Sequence, residues 1–247
     1  MRIDILTIFP EMFESPFNYS IVKRARNKGL VTINTVNIRD FAQDKHQQVD
    51  DYPYGGGAGM VMKPDVIGSA VRSTQTPASY LVYLSPQGKP LNQEIVRLLA
   101  TKPHLILLCG HYEGVDERAV SNFDMEISIG DYILTGGELP AMVLVDAVVR
   151  LLPGVLGDET SATEESFSGS LLEHPHYTRP YEYMGYAVPE VLVSGHHENI
   201  RLWREKQRLL RTLLKRPELL LRRKYTLEEK KLLEEILFGR DESDKKS

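Results

Sequence analysis

The sequence predicts an α/β fold over its first two thirds, a parallel sheet with helices packed on it, followed by a small all-α domain. Three observations carry this expectation. Short apolar runs alternate with amphipathic stretches up to about residue 152, the pattern of repeated strand–helix units. Three of those apolar runs end in tight turns rich in Gly or Pro. Beyond Pro153 the texture changes, first to a polar Gly/Ser/Thr/Glu stretch and then to a helical, arginine-rich one.

Taken in order, residues 2–8 read as a buried strand and 31–38 as another. Residues 20–28 lie between them as a helix, closed by Gly29 at the position where a left-handed C-cap is wanted. A polar stretch, 40–51, leads to the glycine cluster 55–59. A helix is expected over 64–73, a strand over 80–84, a helix over 92–100, a strand over 104–109 and a short helix over 115–121. A strand at 125–129 then passes through a glycine-rich turn into a long apolar helix, 139–152. In the last part Ile200, Trp203, Gln207, Leu210 and Leu214 fall on one stripe at helical spacing. Pro217 opens a further helix, and Thr226-Leu227-Glu228-Glu229 has the spacing of a capping box. The expected boundaries are 1–160 for the α/β domain, 161–175 for a flexible linker and 176–247 for the helical domain.

Composition narrows the classes. A chain of 247 residues with 42% hydrophobic content can bury a sizeable core. One cysteine forms no intramolecular disulfide and no Cys-based zinc site. The first eight residues are too short and too charged for a signal peptide, and no apolar run approaches the roughly 18 residues of a membrane span. The expectation is a soluble, cytoplasmic protein. The net charge is −4, but residues 201–224 hold ten Lys/Arg against two Glu. Such a basic segment on an acidic body fits either phosphate recognition or a solvated helix face.

The three turns are Leu84-Ser85-Pro86-Gln87-Gly88, Cys109-Gly110-His111-Tyr112-Glu113-Gly114 and Ser128-Ile129-Gly130-Asp131-Tyr132-Ile133-Leu134-Thr135-Gly136-Gly137-Glu138. Glycine lets backbone approach a ligand where a side chain would intervene, so three such turns at strand ends read as walls of one pocket; equally, glycine can simply end strands. No G-x-G-x-x-G and no G-x-x-x-x-G-K-[ST] is present, which weakens a dinucleotide or nucleoside triphosphate reading.

The same residues carry a family resemblance. Phe9-Pro10-Glu11-Met12-Phe13, Asp50-Asp51-Tyr52-Pro53-Tyr54-Gly55-Gly56-Gly57-Ala58-Gly59-Met60, the three turns, and Pro175-His176-Tyr177-Thr178-Arg179-Pro180 occur in the order found in bacterial tRNA (guanine-N1)-methyltransferases, the TrmD family. The resemblance spans nearly the whole chain. It implies a deep trefoil knot in the α/β domain and transfer of a methyl group from S-adenosylmethionine to N1 of guanine 37, beside the anticodon, in tRNAs with a preceding guanine. It further implies donor contacts at Gly110, Ile129, Gly130, Asp131, Tyr132, Ile133 and Leu134, with Leu84, Pro86, Tyr112, Gly136, Gly137 and Pro140 completing the pocket. Glu113 would face the donor's amino end or, with Glu165, a magnesium ion.

Arg150 ends the last helix of the α/β domain. By position alone it is a cation at a helix C-terminus, favourable by about 0.3–1 kcal/mol; the resemblance makes it essential for activity. The family's base is usually an aspartate directly before Ser-Phe, and this chain has Glu165 there, with Glu164 and Asp158 nearby. A second departure is His111, where the family often has arginine. Guanine N1 carries a proton that must leave as the methyl arrives, and a carboxylate held in a dry site can accept it. The family's helical domain grips the anticodon stem, which makes Arg201, Arg204, Arg208, Arg211 and Lys215 phosphate candidates and Trp203 a core residue. The family works as a homodimer whose sites are shared between subunits. A non-catalytic RNA-binding module, or a methyltransferase acting on ribose 2′-O, would share many of these features; methyl incorporation and its position separate the three.

Overall fold

The computed structural model describes residues 1–156 and 166–239. The chain divides into two compact units, Met1–Gly157 and Asp158–Ser247. In the first, the order is β1 (Arg2–Thr7), α1 (Ser20–Asn27), β2 (Thr32–Asn37), β3 (Asp50–Asp51), β4 (Val61–Met62), α2 (Pro64–Thr74), β5 (Ser79–Pro90), α3 (Gln93–Ala100), β6 (His104–Cys109), α4 (Glu117–Val120), β7 (Met125–Ser128) and α5 (Glu138–Val149).

Five of these strands form one sheet in the order β2-β1-β6-β5-β7, and every pairing in it is parallel. The expected parallel sheet with helices is therefore found. β6 lies at the centre and all six of its residues are buried. A strand covered on both faces favours a continuous apolar run, which is why Leu105-Ile106-Leu107-Leu108-Cys109 shows no polar alternation. Leu105, Leu107 and Cys109 face a core shared with Val22 and Ala25 of α1, Val96 and Leu99 of α3, and Leu144, Val145 and Val148 of α5. Ile106 and Leu108 face the opposite core with Val66, Ile67, Ala70 and Val71 of α2. Each fully buried aliphatic side chain contributes about 1.5–3 kcal/mol. At the N-terminal edge of the sheet the buried carboxylate of Asp4 is held by Asn34 at 2.7 Å, His104 at 2.9 Å and Arg2 at 2.7 Å.

Local signals account for the ends. Asn92 caps α3 by accepting from the backbone N–H of Glu94 and Ile95, and Gly29 takes φ +70° after α1. The main departure concerns β5, which was expected to stop at Leu84 and runs to Pro90. Leu84 and Lys89 both lie opposite Ile127, so residues 85–88 bulge out and the strand resumes. Pairing with β7, a non-local contact, overrides the local turn signal. α5 ends at Val149, with Arg150 as its C-cap, three residues earlier than expected. The short pair β3–β4 closes the base of the glycine-rich loop.

The second unit was expected to be all-α and also contains an antiparallel hairpin, β8 (Glu182–Tyr183) with β9 (Tyr186–Ala187). Its turn residues Met184 and Gly185 both have positive φ, +53° and +82°, as a type I′ turn requires. Met-Gly is a weak sequence signal for that turn, where Asn-Gly would be strong. Two helices follow, α6 (His197–Lys215) and α7 (Leu227–Phe238), with a 3-10 segment Pro217–Arg222 where a helix was expected. The capping box at Thr226 and Glu229 is formed, and Gly239 ends α7 at φ +61°.

The core of this unit is small: Leu171, Leu209 and Leu232, with Leu220, Tyr225, Leu233 and Ile236 against them. The buried face of α6 is thus Leu209 and Thr212 rather than the expected stripe, and Leu214 is 73% exposed. Thr212 explains the difference. Its hydroxyl donates to Arg208 O at 2.7 Å and accepts from Leu172 N–H at 2.9 Å, so an apparently polar position docks the segment entering the unit. Residues expected to form the flexible linker from 171 onward therefore belong to this core; residues 157–165 lie outside the described set.

Candidate active site

Three turns leave the C-terminal edge of the parallel sheet side by side, at β5, β6 and β7. The first is the excursion 85–88, where a side chain on Gly88 would collide with the backbone of Ile127. The second follows β6. Tyr112 and Gly114 adopt φ +59° and +139° there, and Glu113 N–H donates to Met60 O at 3.0 Å. The third joins β7 to α5. Gly130 takes φ +153°, and Ser128 Oγ bonds to both Gly130 O (3.1 Å) and Gly130 N–H (3.2 Å). The second and third turns are tied by Gly137 N–H to Gly110 O, 2.9 Å.

Between them lies a cleft of about 410 Å³, within the range of small-molecule sites. Gly110, Tyr112, Glu113, Leu84, Pro86, Ile129, Gly130, Tyr132, Ile133, Leu134, Gly136, Gly137 and Pro140 all line it. Of the expected pocket residues only Asp131 does not; it is exposed. The cleft also uses His111, which sits in the second turn, and residues that sequence reasoning missed, notably Tyr83, Glu117 and Glu126. The signal for Tyr83 and Glu126 was present in the strand pairing, since they are register partners on β5 and β7, but pairing is invisible in one sequence. Burial, then the charge of Glu126, raises the Tyr83 phenol above its ordinary value, so it faces the cleft as a neutral O–H.

The electrostatics of the lining are one-sided. It carries the carboxylates Glu113, Glu117 and Glu126 and no Lys or Arg. Such a wall disfavours a polyphosphate and suits a cationic or neutral ligand read by backbone groups. Cys109 closes β6 beneath the cleft, fully buried. Burial first, and the negative charge of Glu138 second, push its thiol well above the usual range, which excludes it as a nucleophile. The glycine-rich loop reaches this region as well: Glu113's carboxylate lies where a side chain on Gly59 would be. Among the described residues no group of three His, Cys, Asp or Glu is arranged to hold a metal ion.

The two catalytic candidates do not join the cleft within the described residues of one chain. Glu165, like Glu164 and Asp158, lies outside the described set. Arg150 caps the far end of α5, whose twelve residues span about 18 Å. It borders a separate, shallow depression with Pro16, Gln93, Met142, Val143, Asp146 and Ala147. Along the same helix Leu139 and Val143 are 48% and 47% exposed.

In the second unit the five basic candidates share α6 but differ in engagement. Arg201 pairs with Glu198 at 2.8 Å and with Glu228, and Arg208 pairs with Glu205 at 3.1 Å in a half-buried setting. Arg211 is half-buried, whereas Arg204 and Lys215 are exposed. Trp203 is half-buried beside Tyr177, ring centroids 6.3 Å apart, and is not a member of the core cluster where it was expected. Of the described residues no helix is long and apolar enough to cross a membrane.

Comparison with known proteins adds an independent finding. The family model described as tRNA (Guanine-1)-methyltransferase TrmD matches residues 1–222. The chain is similar to three curated proteins named tRNA (guanine-N(1)-)-methyltransferase. That of Syntrophomonas wolfei is 68% identical over 241 residues, covering 98% of this chain and 99% of the relative. That of Dictyoglomus turgidum is 60% identical over 236 residues, 96% of each chain. That of Staphylococcus carnosus is 53% identical over 236 residues, 95% of this chain and 96% of the relative.

Proposed function

The chain belongs to the tRNA (guanine-1)-methyltransferase family, and from that premise we propose that it transfers a methyl group from S-adenosylmethionine to N1 of guanine 37 in tRNAs with a preceding guanine. The observation that carries the reading is the three-turn cleft. Its volume accommodates a nucleoside-sized ligand, its wall is backbone and small residues, and its three carboxylates complement a positively charged donor. Bound there, the donor supplies an electrophilic methyl group on a sulfonium. The chain's own residues do the rest. Turn backbone reads the adenosine, Glu113 faces the donor's amino end, Glu165 accepts the guanine N1 proton, and Arg150 stabilises negative charge growing on O6. If magnesium takes part, Glu113 and Glu165 would be its protein carboxylates, and Glu113 would then serve the ion in place of the donor's amino end.

Three further parts of the reading rest on the family and on specific geometry. The trefoil knot rests on membership of the family. A homodimer with shared sites is supported by Arg150, a helix length from its own cleft, by the exposed Val143 in the same depression, and by the exposed Leu139 near the other end of α5. Contact with the anticodon stem-loop is supported by the basic α6. Cytoplasmic action follows from a tRNA substrate.

The test is incubation of the protein with methyl-labelled S-adenosylmethionine and tRNA transcripts, then nuclease digestion and chromatography. Label is expected in N1-methylguanosine and only with transcripts carrying guanine at positions 36 and 37. Label on ribose would replace the reading with 2′-O transfer, and tRNA binding without label would replace it with an RNA-binding module. For the RNA surface, alanine at both Arg204 and Lys215 is expected to weaken tRNA binding and to lower the slope of log K against log salt by roughly 0.7–0.9 for each phosphate no longer neutralised. An unchanged slope would remove both residues from the interface. Arg201, held by two glutamates, is expected to matter less than either.

A further inference from the structure

Beneath the three turns runs a circuit of contacts that the roles above do not use. Phe9 N–H donates to Thr7 Oγ1 at 2.9 Å, and Thr7 O–H donates to Glu138 Oε1 at 2.6 Å. The other carboxylate oxygen, Oε2, lies 2.6 Å from His111 Nε2. The circuit closes through the ring of Phe9, which meets the imidazole edge-on at 5.0 Å. It joins the exit of β1, the turn after β6 and the first residue of α5. Thr7 is fully buried, Glu138 is 2% exposed, and the His111 side chain is 12% exposed on the cleft wall.

A carboxylate buried to this degree must be met by donors. The N-terminus of α5 favours its charge. Thr7 supplies one proton from the side of the sheet. Since the carboxylate oxygen accepts, His111 Nε2 carries the other proton, delivered from the cleft side. The ring also occupies the space beside Gly136: a side chain there would strike the imidazole and lie 2.6 Å from Glu138 Oε2. The spacing between the second and third turns is therefore held by the Gly137–Gly110 backbone bond and by this pair.

We propose that His111 and Glu138 are a positioning pair for the methyl donor. They keep the turn after β6 and the turn before α5 at the separation that forms the cleft, and neither touches the reacting atoms. The inference rests on the donor reading above. Without the His111 donor, Glu138 keeps one partner and turns toward the solvent of the cleft, drawing residues 135–137 with it. The effect falls on donor affinity, because those residues line the cleft.

The experiment compares the full-length parent with His111→Leu and His111→Gln. Donor affinity is measured by calorimetry with S-adenosylmethionine, and kcat and tRNA KM are measured separately. His111→Leu is expected to raise the donor dissociation constant about tenfold, equivalent to 1.4 kcal/mol, with tRNA KM changed less than about twofold. His111→Gln, whose amide can still donate to Glu138, is expected to recover most of the loss. Parent-like affinity in His111→Leu, or equal impairment of both variants, overturns the inference. Should His111→Leu not fold, Glu138→Met, which has no oxygen to accept from His111, takes its place, with the same tenfold rise expected and parent-like affinity overturning the pairing. A parent that binds no S-adenosylmethionine would overturn the donor reading itself, a distinguishable result.

Discussion

Glu165→Gln is expected to slow methyl transfer by about a hundred- to ten-thousand-fold, the range for loss of a general base, with donor affinity changed less than about twofold. The asymmetry follows from when the carboxylate acts. Guanine N1 holds its proton firmly near neutral pH, and that proton must leave as the methyl group arrives. A base contributes to that transition state and little to the ground state, so kcat falls while donor binding does not. Glutamine keeps the size and polarity of glutamate and removes its basicity. Single-turnover methylation with saturating tRNA, beside a donor titration, measures both quantities. A rate within about threefold of the parent, a barrier change below roughly 0.7 kcal/mol, would move the role to Glu164 or Asp158. Glu165→Asp is the companion variant. It shortens the side chain by one carbon, and its retained rate reports how closely the loop fixes the carboxylate.

Gly137→Ala is expected to damage both the fold of the first unit and its cleft. A Cβ at this position would lie 2.6 Å from Cys109 Cα and 2.9 Å from Gly110 N, both of them backbone atoms of the central strand and its turn. No rotamer can relieve such a contact, so either β6 or the start of α5 must shift. The shift also strains the 2.9 Å bond from Gly137 N–H to Gly110 O. Overpacking of this kind costs about 1–3 kcal/mol, which for a chain of this size lowers the melting temperature by roughly 2–4 °C per kcal/mol. Donor affinity should fall as well, because Gly110 and Gly137 both line the cleft. Thermal unfolding and donor titration on the same preparation are the measurements. Parent-like values in both would mean that the two turns are not held together as the geometry requires. Gly55→Ala is a useful contrast: beyond its chain neighbours nothing lies within 4 Å of its Cβ position, so its φ of +87° is what opposes the change.

Some of this molecule was legible in the order of its residues. β6 was readable because a strand buried on both faces favours a continuous apolar run, here Leu105 to Cys109. The three turns were readable because glycine and proline mark places where backbone leaves a regular path; the individual pocket residues were implied by the family resemblance, and all but Asp131 meet in one cleft. The capping box at Thr226 needed only a four-residue pattern. These are local rules, and they hold wherever the chain goes. What tertiary structure alone decided was non-local. It continued β5 past its own turn signal, because Ile127 pairs with both ends of the excursion. It turned α6 so that Thr212 docks Leu172 and Leu214 faces solvent, because a small core buries whatever face the incoming segment meets. It also brought His111 to a buried glutamate 27 residues away, itself bonded to a threonine 131 residues away. No periodicity encodes such a circuit; its members are ordinary residues until the three turns are folded against one another.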